Sequence, residues 1–136
     1  MIAVHKISSS DVANYGIFAG TWDNDEETIM VLDRIKEKPT QEYAEDYLGV
    51  KSRHDNKKRY YAAFGSYILS PEIFDELDAM CARSNNNAEE VGFTEALEKV
   101  MKTSGMYAFV PDGESYDIGN AKAYRKTFLE FGKDVN

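Results

Sequence analysis

The sequence predicts an α/β domain with a mixed sheet. Three observations carry that expectation. Segments alternate in the order strand, hairpin, helix, strand, two helices, strand, helix. The stretch "YYAAFGSYIL" (60–69) is apolar on both faces, as in a strand lying in the middle of a sheet. No repeat, low-complexity run or Pro/Gly/Ser linker divides the 136 residues, a length suited to one domain burying roughly two-thirds of its unfolded surface.

The elements follow from local chemistry. Residues 2–7 alternate, with Ile2, Val4 and Lys6 on one face and Ala3, His5 and Ile7 on the other. "SSSDVAN" (8–14) reads as a short helical turn or loop. "YGIFAGTW" (15–22) and "TIMVLDRIKEK" (28–38) form a hairpin around the acidic turn "DNDEE", and Pro39 ends the second strand because it has no ladder N–H. Thr40 caps "QEYAEDYL", whose apolar face is Tyr43, Ala44, Tyr47 and Leu48. "VKSRHDNKKR" (50–59) is expected as an exposed polar loop with a solvated basic cluster.

After the strand at 60–69, Ser70 and Pro71 start the helix "SPEIFDELDAMCA". Its cysteine, Cys81, lies at helical spacing among Ile73, Phe74, Leu77 and Met80 and is expected to be a buried core thiol. "SNNNAEEVG" is a loop. Thr94 is expected to cap "EALEKVMKTSG", with Ala96, Leu97, Val100 and Met101 facing inward and Gly105 closing it. "MYAFVP" (106–111) is a strand, "DGE" a turn and "SYDI" a short strand. Gly119 breaks that strand, and Asn120 caps the last helix, "AKAYRKTFLEF".

Composition bounds the function classes. The net charge of −8, without a long basic run, argues against binding nucleic acid by phosphate neutralisation and against an anionic membrane surface. No stretch approaches the ~20 apolar residues of a membrane span, and "MIAVHKISSS" is not a signal peptide pattern. A lone cysteine suits a reducing cytoplasm, and two distant histidines give a structural zinc site no support.

Three places hold polar groups where strands end. Gly16 either lets a ligand approach the backbone, since it has no Cβ, or is an ordinary turn or bulge glycine. Glu37 can accept two hydroxyl hydrogen bonds and Lys38 can meet a phosphate, or both are solvated charges at a strand terminus. Neighbouring strand residues face opposite ways, so one ligand touches both only if the chain turns there. Asp117 either caps amides in an Asx-type turn or is an oxygen ligand for magnesium. No phosphate-cradling glycine loop, nucleophile elbow or zinc-protease motif occurs.

Taken in order, "IAVHKISSSDVANYGIFAG", "EKPTQEYAEDYL", "FGSYILSPEIFDEL", "FTEALEKV" and "SYDIGNAKAYRKTFLEF" resemble the C-terminal half of bacterial sugar nucleotidyltransferases, in particular the UTP–glucose-1-phosphate uridylyltransferase family. The resemblance runs over nearly the whole chain. It implies the mixed-sheet C-terminal portion of a nucleotide-diphospho-sugar transferase (Rossmann-like) fold, with residues 1–136 as a single partial domain. It also implies that glucose 1-phosphate attacks the α-phosphorus of UTP, releasing pyrophosphate, with Mg2+ offsetting charge.

By that resemblance Gly16 lies against the sugar, Glu37 accepts its hydroxyls and Lys38 meets its phosphate. Ala63 and Tyr67 wall the pocket, and Asp117 is one of two magnesium-binding aspartates. The family's glycine-rich nucleotide loop and its second aspartate have no counterpart here. The family's Gly-Glu-hydrophobic-Gln-hydrophobic-Thr run reads "EEVGFT", matching at Glu90 and Thr94 and departing at Gly92. A cytoplasmic chain, inactive alone and prone to self-association or to pairing with the missing half, is therefore expected. The alternative is a non-catalytic sugar-phosphate-binding or oligomerisation module. An unrelated α/β interaction domain is a third reading.

Overall fold

The structure, a computed structural model, describes residues 1–84, 91–113, 115–116, 118–119 and 121–131, with backbone alone for residue 122. Six strands form one sheet: β1 (Ile2–Ile7), β2 (Gly16–Trp22), β3 (Ile29–Glu37), β4 (Val50–Lys51), β5 (Lys58–Tyr67) and β6 (Tyr107–Phe109). The helices are α1 (Gln41–Tyr47), α2 (Glu72–Ser84), α3 (Phe93–Ser104) and α4 (Ala121–Phe131), and a 3-10 helix spans Ser9–Asn14. Pairing runs β1–β6–β3–β2–β5, with β5 also bonded to β1 and β4. Among the described residues only β1–β6 is parallel, so the sheet is mixed, as expected.

Strand β5 sits between β1 and β2. Lys6, Tyr61, Phe18 and Ile35 line up across four strands, and His5, Ala62, Ile17 and Lys36 form the adjacent row. Since side chains alternate, the first row faces one side of the sheet and the second row the other. Helix α3 packs on β3 and on α2. Its apolar stripe, Ala96, Leu97, Val100 and Met101, is fully buried, and Gly105 ends it at φ +72° while its N–H donates to the Met101 carbonyl.

The hairpin carries one irregularity with large consequences. Ala19 pairs with Arg34 but Gly20 pairs with Leu32, so β3 has an extra residue there, a β-bulge. The bulge shifts the phase of β3, whose buried positions are Met30, Leu32 and then Ile35. Beyond the bulge, Ile35 and Glu37 face the side that Phe18 and α3 occupy. Without it, Lys36 would face that side and Glu37 would not.

Several expectations require correction. Residues 50–59 are not simply a solvated loop: Val50 and Lys51 pair with Arg59 and Lys58, and Ser52 is buried. The basic residues there clamp the acidic hairpin turn. Arg53 meets Asp25 at 2.6 Å and donates to the Trp22 carbonyl, and Arg59 bridges Glu27 at 3.2 Å and Asp55 at 3.0 Å. The turn itself is shaped by Asn24, whose Oδ1 accepts from the amides of Thr28 and Ile29. Cys81 is exposed, because only Ile73 and Met80 of its helix are buried and Phe74 points to solvent.

Ala44 of α1 and Leu48 just after it are buried while Tyr43 and Tyr47 stay outside, their rings tilted together with centroids 4.9 Å apart. Strand β5 is buried at Tyr60, Tyr61 and Ala62, but Phe64–Tyr67 are exposed, so it is central for only part of its length. Strand β6 is three residues long, although the Met106 carbonyl and the Val110 amide still bond to the β3 side. Among the described residues of "SYDI" there is no strand, and Asp117 and Asn120 lie outside the described residues.

The clamp makes stability pH-dependent. Burial pulls the Glu27 pKa upward, but the Ser52 hydroxyl, the Arg53 amide and the charges of His54 and Arg59 outweigh it, leaving it below the ordinary 4.5. The Lys57 amide chiefly, helped by Arg59, holds Asp55 below 3.8. A carboxylate whose folded pKa is depressed stabilises the fold above its unfolded value and loses that contribution as pH falls through the folded one. Unfolding stability should therefore drop from about pH 5 downward. In Arg59→Met the drop should be shallower, and equal slopes for the two chains would disprove the clamp's role.

Candidate functional site

At the open end of the hairpin, Gly16 pairs with Glu37. A Cβ on Gly16 would stand 2.8 Å from Glu37 Oε2 and 3.6 Å from Thr94 Oγ1. The missing side chain thus makes room for the Glu37 carboxylate itself. The Thr94 hydroxyl donates to Glu37 Oε2 at 2.6 Å, joining residues 57 positions apart. Thr94 does not cap α3 as expected: the cap position is Gly92, which supplies no side-chain bond, so the Thr94 hydroxyl is free for Glu37.

Lys38 follows Glu37 with an unusual backbone angle. Its φ of +41° is left-handed, a strained conformation for a lysine, and the chain turns there before the buried Pro39. The Lys38 amide donates to the Tyr15 carbonyl at 3.0 Å, holding this turn against the entrance of β2. Gly16, Glu37 and Lys38 are therefore contiguous, and the carboxylate and the ammonium stem both leave the same strand end exposed to solvent.

Tyr67 belongs with them. Partial burial chiefly, then the nearby Glu37 charge, raises the pKa of its phenol. Its ring meets Phe93 edge-on at 5.3 Å, 88° between planes, beside Thr94. Ala63 pairs with Val4 and lines a cavity of about 610 Å3 with His5, Tyr15, Phe64 and Tyr116. Among its lining residues is Tyr15, which immediately precedes Gly16.

Asp117, Glu90 and Asn120 lie outside the described residues. Among the described residues no three His, Cys, Asp or Glu side chains cluster to hold a metal ion. No helix among the described residues is long and apolar enough to cross a membrane.

Sequence reasoning missed two features. The bulge opposite Gly20 was masked in sequence, because residues 29–32 are all apolar and hide which of them face inward before Ile35. The Thr94–Glu37 bond had no local signal, since it joins the end of β3 to the start of α3 across α1, β4, β5 and α2.

A mixed sheet with α3 packed on β3 and α2 on α3, carrying a glycine and an acid–lysine pair at a strand end, is an α/β fold of the nucleotidyltransferase kind. An apo UDP-glucose pyrophosphorylase crystal structure superposes with a TM-score of 0.71 at 26% identity, over 97% of this chain and 42% of that one. A UDP-glucose pyrophosphorylase complexed with UDP-glucose shares the fold, with a TM-score of 0.67 at 24% identity over 97% of this chain and 43% of that one.

The nucleotidyl transferase family model matches residues 2–133, and the chain belongs to that family. A Streptococcus pyogenes UTP–glucose-1-phosphate uridylyltransferase is 30% identical over 130 residues, 96% of this chain and 37% of that protein. The chain spans about two-fifths of the length of these relatives.

Proposed function

We propose that this chain is the C-terminal, sugar-phosphate-binding part of a UTP–glucose-1-phosphate uridylyltransferase. The observation that carries the reading is the contiguity of Gly16, Glu37 and Lys38, with the Glu37 carboxylate fixed by a hydroxyl from α3. A carboxylate with one oxygen held can accept hydroxyls on the other, which is how a pyranose is gripped. An ammonium one residue away suits the phosphate on C1. The glycine allows the sugar close to the backbone, and Tyr67 offers a donor and an apolar edge.

In the complete enzyme the phosphate of glucose 1-phosphate attacks the α-phosphorus of UTP in line, and pyrophosphate leaves. A magnesium ion, with Asp117 among its ligands, would offset charge on the phosphates. The part played by the described residues is positioning: Glu37 orients the sugar and Lys38 neutralises the attacking phosphate. The remaining length of the relatives would supply the triphosphate grip, so the chain alone turns over no substrate in the cytoplasm where it acts.

Titrating the isotope-labelled chain with glucose 1-phosphate should shift the resonances of Gly16, Lys38 and Tyr67, while UTP and glucose 1-phosphate together should release no pyrophosphate. Unmoved resonances at all three positions would remove the sugar-phosphate site. Measurable pyrophosphate would remove the half-site account and leave a complete enzyme.

The alternative module has one observation in its favour. Tyr124, Phe128 and Phe131 lie exposed along one side of α4, and Ile68 and Phe74 are exposed elsewhere. Such surface favours pairing with the missing half or with another copy. Sedimentation showing a strict monomer at high concentration would count against it.

A further inference from the structure

We propose that Thr94 is a positioning residue for sugar recognition, holding Glu37 so that the carboxylate discriminates a hexose phosphate from a bare phosphate. The inference rests on the sugar-phosphate reading of the site and deepens it.

An exposed glutamate at a strand end would ordinarily sample several rotamers, and each one lost on binding costs affinity. Here one oxygen, Oε2, is tied at 2.6 Å to a hydroxyl whose own helix is anchored by four buried residues. Three conditions make the tie possible. The bulge at Gly20 brings Glu37 to the α3 side of the sheet. Gly16 leaves the space its Cβ would take. Gly92 starts α3 without demanding a side-chain cap from its neighbours.

With Oε2 engaged, Oε1 is left to accept from a sugar hydroxyl in a preset direction. Phe93, adjacent to Thr94, holds the Tyr67 ring edge-on, so the same helix start fixes both the acid and an aromatic wall beside it. Inorganic phosphate has no ring hydroxyls for Glu37 to read and would engage Lys38 alone. Thr94 therefore acts on sugar affinity and not on phosphate affinity.

The test compares dissociation constants for glucose 1-phosphate and for inorganic phosphate in the wild-type chain, Thr94→Val and Thr94→Ser. Thr94→Val should weaken glucose 1-phosphate about tenfold and leave inorganic phosphate unchanged, and Thr94→Ser should restore sugar-phosphate affinity, since it returns the hydroxyl. Equal weakening of both ligands, no weakening, or failure of serine to rescue would each overturn the assignment. If the wild-type chain binds no glucose 1-phosphate, the sugar-phosphate reading itself falls. The positioning contact is then judged without ligand by the Gly16 amide resonance beside the Glu37 carboxylate. It should move in Thr94→Val and return in Thr94→Ser, and an unmoved resonance would end the inference.

Discussion

Gly20→Ala should destabilise the chain by about 3 kcal/mol, lowering the thermal midpoint by roughly 10 °C. The added Cβ would stand 1.9 Å from the Val31 carbonyl oxygen, 2.8 Å from its carbon and 2.9 Å from Leu32 Cα. All three atoms are backbone, so no side chain can swing aside, and β3 itself must move. Gly92→Ala is the control, because its nearest neighbour would be Glu95 Cβ at an ordinary 3.9 Å. A midpoint for Gly20→Ala within a degree or two of the control would mean that the bulge is soft. The same displacement should weaken glucose 1-phosphate binding, because the bulge sets which face of β3 carries Glu37.

Much of this fold was legible because the hydrophobic periods are strong. The stripe of Ala96, Leu97, Val100 and Met101 is buried as its spacing required, and Gly105 stops α3 in a left-handed conformation. Ile2 and Val4 alternate inward from β1 as their positions predict. What failed was long-range. The 50–59 segment looked solvated by composition, yet Arg53 and Arg59 find their acids more than 25 residues away in the hairpin turn. A cation's partner cannot be read from spacing when sheet pairing supplies it. Cys81 shows the converse error: it has apolar neighbours in sequence, but α2 buries too narrow a stripe to include it.

The site was legible in its letters and not in its geometry. "EKP" marked Glu37 and Lys38 as sequence neighbours, and what the structure adds is a positive φ at Lys38, where the chain turns. That turn is invisible in sequence, because lysine has no preference for the left-handed region. Gly16 was open between a ligand-facing glycine and a turn glycine. It opens β2 at an extended position, and the room its missing Cβ leaves is used by Glu37.

Glu37→Ala should weaken glucose 1-phosphate about 100-fold, some 2.7 kcal/mol, which is the loss of one or two hydrogen bonds to a charged acceptor. Inorganic phosphate should bind as before. Lys38→Gly should separate affinity from stability in the opposite sense. Glycine relieves the strain of φ +41°, worth ~1 kcal/mol, and that offsets the extra freedom it gives the unfolded chain. Its thermal midpoint should stay close to that of the wild type while affinity for both glucose 1-phosphate and inorganic phosphate falls about tenfold, as expected for removing one exposed phosphate-binding charge. The two variants thus divide the ligand between them, Glu37 reading the sugar and Lys38 the phosphate. A Glu37→Ala chain that lost both ligands equally would show that the carboxylate acts through the turn at Lys38, and a Lys38→Gly chain that lost only the sugar ester would reverse the assignment.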